Sequence, residues 1–277
     1  MRSQTTLSMP VSRDVPHLEV ISRYPSKRHD QPPLLFVHGA WHGAWCWSEH
    51  FLDYFAARGY ASHALSLRGH GTSDGRQGLR WTRIADYVAD LAQVIATLPC
   101  PPIVVAHSMG GFVLQKFLES CSVPACVLLA PVPPQGAARI TAKVLRRHPL
   151  LFLRGNLALS LYPVVATQAL VREAFFSAGM APDLLARYST YMQEESYLGF
   201  LDMLLLDLPK RRQHDVPALV LAAERDSLVD VAEVEATART FGADAAIVPD
   251  VAHDMMLDTH WRRVADRIAQ WLDRQAY

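Results

Sequence analysis

Short apolar, β-branched segments alternate with amphipathic segments along most of the chain, and this alternation is the strongest constraint on its fold. The apolar segments are typical of buried strands, and the amphipathic ones repeat apolar residues at helical three- and four-residue spacing. Strand–helix alternation with continuously apolar strands favours a mostly parallel, doubly wound α/β sheet covered on both faces. The predicted strands are 17–24, 33–39, 61–67, 102–108, 124–130, 217–223 and 243–250, and the predicted helices are 49–58, 81–98, 109–119, 231–241 and 261–274.

One long interval, residues 132–215, carries no strand signal and shows only helical periodicity punctuated by Pro and Gly. We therefore predict an α/β core made of residues 1–131 and 216–277, interrupted by a helical cap at residues 132–215. Ligands of open α/β sheets bind at the carboxyl ends of the strands. The cap is expected to lie over that end of the sheet and to shape a pocket there.

The composition describes a globular chain with a sizeable core, because 50% of its 277 residues are hydrophobic and 19% are charged. The formal net charge of zero gives no electrostatic reason to expect nucleic acid as a partner. Residues 1–17 lack the apolar core of a signal peptide, so we expect a cytoplasmic protein with reduced cysteines. The apolar stretch that begins at Pro149 is interrupted by polar residues, so no transmembrane helix is expected.

A serine lies at a predicted strand-to-helix junction in the stretch PPIVVAHSMGGFVLQKFLES, residues 101–120. Ala106 and Gly110 stand two positions to either side of Ser108, where bulky side chains would collide across a tight turn. This is the nucleophile-elbow pattern G-x-S-x-G with alanine in its first small position. A helix N-cap is the other common use of such a serine, but the strand–turn–helix context favours an exposed nucleophile.

The chain resembles the α/β-hydrolase superfamily, in which HSMGG is a frequent form of this elbow, and the resemblance covers residues 34–272. It implies an α/β-hydrolase fold and a catalytic serine, acid and histidine in that chain order. Asp226, in VLAAERDSLVD, matches the acid position, and His253, in IVPDVAHDMMLD, matches the histidine. Glu224 and Asp230 lie in the same loop as Asp226, so the sequence leaves other carboxylates open for the acid.

Acyl transfer also needs hydrogen-bond donors for the developing oxyanion. One expected donor is the backbone N–H of Met109, and the other, by similarity to the superfamily's His-Gly-x segment in FVHGAWHGAWCW, is the amide of Ala40. His38 is expected to brace this loop, and Trp41, beside it, to contact substrate. A metal site at His38 and His42 is disfavoured, because the sequence places no carboxylate or further histidine beside them.

These features predict a serine hydrolase that cleaves a carboxylic ester or thioester through an acyl-enzyme and needs no metal or organic cofactor. The segment HGAWHGAWCW also resembles plant methylesterases and hydroxynitrile lyases. That resemblance implies threonine and lysine in the lyases at the positions of Ala40 and Asp254, which favours the esterase. A C–C bond hydrolase, a cyclase, an acyltransferase and a non-catalytic ligand receptor remain alternatives on the same fold.

The predicted partner is a small lipophilic substrate, because the cap is rich in Leu, Phe, Tyr and Met. Four basic residues of the cap could meet a carboxylate, a phosphate or a membrane surface, although such residues are more often simply exposed. They are Lys143, Arg146, Arg147 and Arg154. The sequence itself gives no support for membrane contact, and it leaves the oligomeric state open.

Overall fold

A seven-stranded sheet lies at the centre of the part of the chain that the computed structural model describes, residues 15–26, 31–210 and 214–275. The strands are β1 (Val20–Arg23), β2 (Leu34–Val37), β3 (Ser62–Leu65), β4 (Ile103–His107), β5 (Cys126–Leu129), β6 (Ala218–Ala223) and β7 (Ala245–Val248). Their order in the sheet is β1-β3-β2-β4-β5-β6-β7. Of the strand pairs in the described ranges, β1 with β3 is antiparallel and the other five are parallel. The predicted α/β fold with a mostly parallel sheet is therefore confirmed.

The central strands β2, β4 and β5 are buried along their whole length. Their register places Leu34 opposite Ile103 and Val104 opposite Cys126. Strands covered by helices on both faces need apolar residues on both faces, which explains why these segments are continuously apolar rather than alternating. The same arrangement brings the carboxyl ends of β2 and β4 to one edge of the sheet.

Helices of the core and of the insertion account for most of the remaining described residues. They are α1 (Trp45–Ser48), α2 (Phe51–Ala56), α3 (Ile84–Thr97), α4 (Met109–Phe117), α5 (Ala138–Arg147), α6 (Pro149–Ala158), α7 (Gln168–Phe175), α8 (Pro182–Tyr191), α9 (Tyr197–Leu201), α10 (Val231–Thr240) and α11 (Trp261–Leu272). Arg76–Trp81 and Tyr162–Val165 are 3₁₀ helices, and Asp202–Leu206 is a π-helical turn.

Several predicted boundaries differ from the structure. The predicted helix 49–58 is replaced by α1 and α2, which meet at His50, where the backbone is not helical. The predicted helix 81–98 begins three residues later, because the carboxylate of Asp86 accepts the amide hydrogen of Arg83 and caps α3 there. The first strand is limited to the four residues that pair with β3.

Between β5 and β6 the described residues contain helices and no strand, as the sequence predicted. We call residues 132–215 the helical insertion. That this insertion forms a cap, separate from a core of residues 1–131 and 216–277, stays a prediction. Among the described residues, every helix is too short or too polar to cross a membrane.

All four cysteines are free thiols, with Cys46 and Cys126 buried and Cys100 and Cys121 exposed. Burial raises the pKa of the Cys126 thiol to about 12, so this group stays protonated. The expectation about a signal peptide concerned residues 1–17, of which the first fourteen lie outside the described part of the chain.

Candidate active site

Ser108 lies at the corner between β4 and α4, with φ 51° and ψ −115°. Such a backbone conformation costs a non-glycine residue about 1–3 kcal/mol, so the surrounding contacts must hold it in place. Its amide donates to the carbonyl of Leu129 at 3.0 Å, and its own carbonyl accepts the amide of Val132 at 3.1 Å. A Cβ on Gly110 would lie 2.5 Å from the carbonyl oxygen of His38. The small residue that the sequence pattern requires is therefore needed because another loop passes directly over α4.

The three predicted triad residues are brought together at the carboxyl ends of the strands. The Oγ of Ser108 lies 3.0 Å from Nε2 of His253, and Nδ1 of His253 lies 2.7 Å from Oδ2 of Asp226. Because a carboxylate only accepts, Nδ1 carries the hydrogen and Nε2 is free to accept the serine proton. The other carboxylate oxygen of Asp226 accepts the amides of Leu228 and Val229 at 2.8 and 2.9 Å. The side chains of His253 and Asp226 are almost fully buried.

The loop after β2 is held by the side chain of His38. The amide of Leu67 donates to Nε2 of His38 at 3.0 Å, so Nδ1 carries the hydrogen and donates to the carbonyl of Gly39 at 2.8 Å. In a trans peptide the carbonyl and the N–H point in opposite directions, so this bond turns the amide of Ala40 away from His38. Burial, with a smaller contribution from His70, holds the pKa of His38 well below 6.5.

His107, the residue before Ser108, holds the backbone of His253. Its Nε2 donates to the carbonyl of His253 at 2.9 Å, and the two ring centroids are 4.8 Å apart. Burial holds the pKa of His107 well below 6.5, so the ring is neutral, and its Nδ1 has no hydrogen-bond partner among the described residues. A Cβ on Gly39 would lie 2.7 Å from this nitrogen. The absence of a side chain at Gly39 therefore lets the loop after β2 approach the elbow.

A buried ion pair joins the loop after β2 to the loop that carries His253. His42 donates from Nδ1 to the carbonyl of Ala40 at 2.7 Å and from Nε2 to the carboxylate of Asp254 at 2.9 Å. Both nitrogens face acceptors, so the ring is an imidazolium. Burial lowers the pKa of His42, but the Asp254 carboxylate outweighs this effect and raises the pKa above 6.5 overall.

Glu195, in the helical insertion, connects the insertion to the core through a fully buried carboxylate. It accepts hydrogen bonds from the amide of Trp41 at 3.2 Å, from Nε2 of His70 at 2.9 Å and from the hydroxyl of Tyr87 at 2.8 Å. Burial raises the pKa of Glu195, but His70 and the other donors outweigh burial and lower it below 4.5 overall. The carboxylate therefore stays ionised in the interior.

A pocket extends from Ser108 into the helical insertion, and it encloses about 900 Å³ of space free of protein atoms, part of which is open to solvent. Its walls include all the predicted site residues except Asp226, which lies behind the histidine. Trp41, which the sequence placed next to substrate, lines this cavity at φ 66° and donates from its indole nitrogen to the carbonyl of Leu161 at 3.3 Å. The remaining lining is mostly apolar and comes from α5, α6 and the segments around them. The arrangement places the hydroxyl of Ser108, the imidazole of His253 and the residues Ala40 and Met109 at the wall of a mostly apolar cavity.

Sequence reasoning missed His107, the pair of His42 and Asp254, and Glu195. It also assumed that no carboxylate or further histidine lies near His38 and His42, and this premise was wrong. The ring of His70 lies 4.9 Å from that of His38, and Asp254 is bonded to His42. No group of three or more His, Cys, Asp or Glu side chains in the described ranges is arranged to hold a metal ion.

The chain belongs to the alpha/beta hydrolase family, whose model matches residues 34–267. Over shorter segments it is similar to plant proteins. It is 32% identical over 96 residues to methyl jasmonate esterase 1 of Vitis vinifera, an alignment that covers 32% of this chain and 36% of the relative. It is 32% identical over 110 residues to norfluorocurarine synthase 1 of Strychnos nux-vomica, covering 38% of this chain and 40% of the relative. The matched segments thus span well under half of these relatives.

Solved structures show the same fold over nearly the whole chain. A putative non-heme bromoperoxidase of Mycobacterium tuberculosis superposes with a TM-score of 0.71 at 22% identity, covering 92% of this chain and 94% of that protein. An esterase from a Rhodococcus species superposes with a TM-score of 0.70 at 19% identity, covering 93% and 95%. At these identities the likeness establishes the fold alone.

Proposed function

We propose that this protein is a serine hydrolase that cleaves carboxylic esters of neutral, lipophilic substrates. The observation that carries the proposal is the unbroken hydrogen-bonded chain from Ser108 through His253 to Asp226, with contacts of 3.0 and 2.7 Å. A serine hydroxyl becomes nucleophilic when a neutral imidazole accepts its proton and a carboxylate fixes the imidazole tautomer. Here the hydroxyl also faces an apolar cavity that can hold an acyl group.

In the proposed acylation step, Oγ of Ser108 attacks the ester carbonyl while Nε2 of His253 takes the hydroxyl proton. The resulting imidazolium is stabilised by Asp226, whose negative charge is itself held in place by the amides of Leu228 and Val229. Collapse of the tetrahedral intermediate breaks the bond to the alkoxide leaving group, which receives the proton from Nε2. The products of this half-reaction are an alcohol and an acyl-enzyme.

The proposed oxyanion donors are the backbone amides of Ala40 and Met109, two residues that line the cavity beside Ser108. Met109 is the first residue of α4, so the partial positive charge at the helix N-terminus adds to the effect of its amide. His38 fixes the Ala40 amide by holding the opposite end of the same peptide group. One such donor is worth about 3 kcal/mol of transition-state stabilisation in other serine hydrolases.

Deacylation uses the same groups in reverse. Water enters the site, His253 takes one of its protons at Nε2, and the hydroxide oxygen attacks the acyl carbonyl. The bond between the acyl carbon and Oγ of Ser108 then breaks, and the serine recovers its proton from His253. The carboxylic acid leaves, and the charge balance of the site is restored.

The cavity favours uncharged substrates. Among the described residues that line it, Glu195 is the single formal charge, and that charge is already bonded to His70 and to neutral donors. A substrate carboxylate or phosphate would lose its hydration with no lysine or arginine to replace it. The carboxylate of Asp254 is bonded to His42. The resemblance to hydroxynitrile lyases implies a lysine at this position in those enzymes, so the aspartate supports ester hydrolysis over the lyase alternative.

Replacement of the proposed nucleophile tests the reaction class. Turnover of p-nitrophenyl esters by Ser108→Ala should fall by about 10³-fold or more, while the circular dichroism spectrum and the melting temperature stay close to those of the wild type. Ser120→Ala, which alters an exposed serine just after α4, is the matched control and should retain full activity. Substantial activity remaining in Ser108→Ala would overturn the proposal, and so would a wild-type protein that hydrolyses neither esters nor thioesters.

A further inference from the structure

The helix α6 exposes a face of leucines that no other part of the described chain covers. Leu150, Leu153 and Leu157 are 74%, 53% and 79% exposed, and their spacing of three and four residues places them on one side of the helix. Leu145, near the end of α5, and Tyr162, just after α6, are also exposed. We call the exposed side of α6 that carries Leu150, Leu153 and Leu157 the leucine face. Large apolar side chains grouped on one exposed side of a helix are characteristic of surfaces that bind a partner or a lipid interface.

The leucine face lies in the most basic part of the chain. Between Glu119 and Glu173 the sequence contains six Lys or Arg residues and no Asp or Glu, although the whole chain has no net charge. Arg146 and Arg154 are exposed, and no ion pair to either is found within the described ranges. Arg154 is four residues after Leu150 and three before Leu157, so it lies on the same side of α6.

This combination of leucines and arginines fits an anionic lipid surface. Leucine side chains enter the boundary between headgroups and acyl chains, and long arginine side chains reach outward to lipid phosphates. A second copy of the chain fits less well. A twofold interface would pack the same surface against itself and bring the arginines of both copies together.

The other side of α6 faces the cavity. Leu151, Phe152, Gly155 and Asn156 line the cavity that contains Ser108, so one helix separates the leucine face from the proposed substrate pocket. A bilayer bound at the leucine face would therefore lie beside that pocket, and a lipophilic ester dissolved in the bilayer would have a short path to it.

We propose that the leucine face docks this protein on anionic membranes, with Leu150, Leu153 and Leu157 inserted and Arg146 and Arg154 on the lipid phosphates. Docking does not depend on the proposed hydrolase activity, because binding is measured without turnover. The full chain is mixed with phosphatidylcholine vesicles, with and without phosphatidylglycerol, and the bound fraction is measured by co-sedimentation at low and high salt.

The expected result is binding to the vesicles that contain phosphatidylglycerol, weakened by salt. Leu153→Ser/Leu157→Ser should lower the partition coefficient by about tenfold or more. Arg146→Gln/Arg154→Gln should lower it by about fivefold for each arginine and remove the preference for anionic lipid. Ile247→Ser, which changes a half-exposed residue of the edge strand β7, is the matched control and should bind like the wild type.

Three outcomes would overturn the proposal. The wild-type chain could fail to bind anionic vesicles, or its binding could be unchanged by the leucine substitutions. The wild-type chain could also form a dimer in size-exclusion chromatography that Leu153→Ser/Leu157→Ser dissociates, which would assign the leucine face to self-association. Melting temperatures equal to that of the wild type show that the variants are folded, and the salt dependence of the wild type tests the electrostatic part without any substitution.

Discussion

His42 and Asp254 form a buried ion pair across 212 residues of sequence, with 2.9 Å between Nε2 and the carboxylate. His42 also holds the carbonyl of Ala40, and Asp254 directly follows His253, so one contact links the loop of a proposed oxyanion donor to the loop of the proposed base. The relative position of these two loops determines the distance between donor and base. The ion pair is therefore well placed to fix the distance between the proposed oxyanion donor and the proposed base.

Removal of one partner of this pair should destabilise the protein strongly. His42→Gln leaves the Asp254 carboxylate buried without a counter-charge, and such a change costs about 3–5 kcal/mol of unfolding free energy. Denaturant titration measures this loss. Arg225→Gln, which breaks the exposed pair of Arg225 and Asp250, is the control and should be nearly neutral. Equal effects of the two substitutions would show that the buried pair does not matter.

Gly110 should not tolerate a side chain. A Cβ at this position would lie 2.5 and 2.7 Å from the carbonyl oxygens of His38 and Val37, both of them backbone atoms. Gly110→Ala should therefore cost about 1–3 kcal/mol of stability and reduce kcat by displacing α4 from the loop after β2.

Gly78 provides the matched control for that substitution, because a Cβ there would meet nothing within 4 Å. Gly78→Ala should leave the activity unchanged and leave the stability equal or slightly higher. An active, fully stable Gly110→Ala protein would contradict the close packing of the elbow.

The unfolding free energy should fall on both sides of about pH 6.5. Below pH 6.5, His38 and His107 become protonated in the unfolded chain but stay neutral in the folded chain. The reason is that burial holds the pKa of each well below 6.5 in the fold. Each of these two histidines therefore lowers the free energy of unfolding by about 1.4 kcal/mol for each pH unit below 6.5. Above pH 6.5 the contribution of His42 is lost as the pH rises through its raised pKa.

Denaturant titrations from pH 5 to 9 measure this profile, with about 1.4 kcal/mol per unit expected for each buried neutral histidine on the acid side. His42→Gln should flatten the alkaline side and leave the acid side in place. A wild-type profile that is flat across this range would show that these histidines have the same pKa in the folded and unfolded chains.

The substrate preference should follow the apolar lining of the cavity. In a series of p-nitrophenyl esters, kcat/KM should rise with acyl chain length until the cavity is filled, by about fourfold for each buried methylene. An ester whose acyl chain ends in a carboxylate should be turned over much more slowly than the uncharged ester of equal length, because no Lys or Arg is among the described residues that line the cavity. A preference for the charged ester would contradict the proposed substrate class.

The fold and the central site residues could be predicted because their signals are local. The apolar run of β4, the small residues around Ser108 and the periodicity of α4 lie within twenty residues of one another. Asp226 and His253 were assigned through the resemblance to the α/β-hydrolase superfamily. They come shortly after β6 and β7, and in a parallel sheet such positions meet at one edge.

The supporting contacts could not be predicted, because they join segments that are far apart in the sequence. Nothing near His42 indicates Asp254, and nothing near His70 indicates Glu195, which lies 125 residues further on in the helical insertion. The assumption that His42 has no carboxylate nearby failed for this reason. The start of α3 at Ile84 could not be predicted either. The helical periodicity of the sequence extends back to residue 81, but the hydrogen bond from the amide of Arg83 to Asp86 sets the boundary.

Covalent labelling of Ser108 tests the central claim most directly. A fluorophosphonate reacts with a serine hydroxyl that a neighbouring base has activated, and peptide mass spectrometry locates the adduct. We predict one phosphonyl adduct on the peptide that contains Ser108, formed by the wild-type protein and absent from Ser108→Ala. An adduct on another residue, or an unlabelled Ser108 in a protein that still hydrolyses esters, would contradict the account.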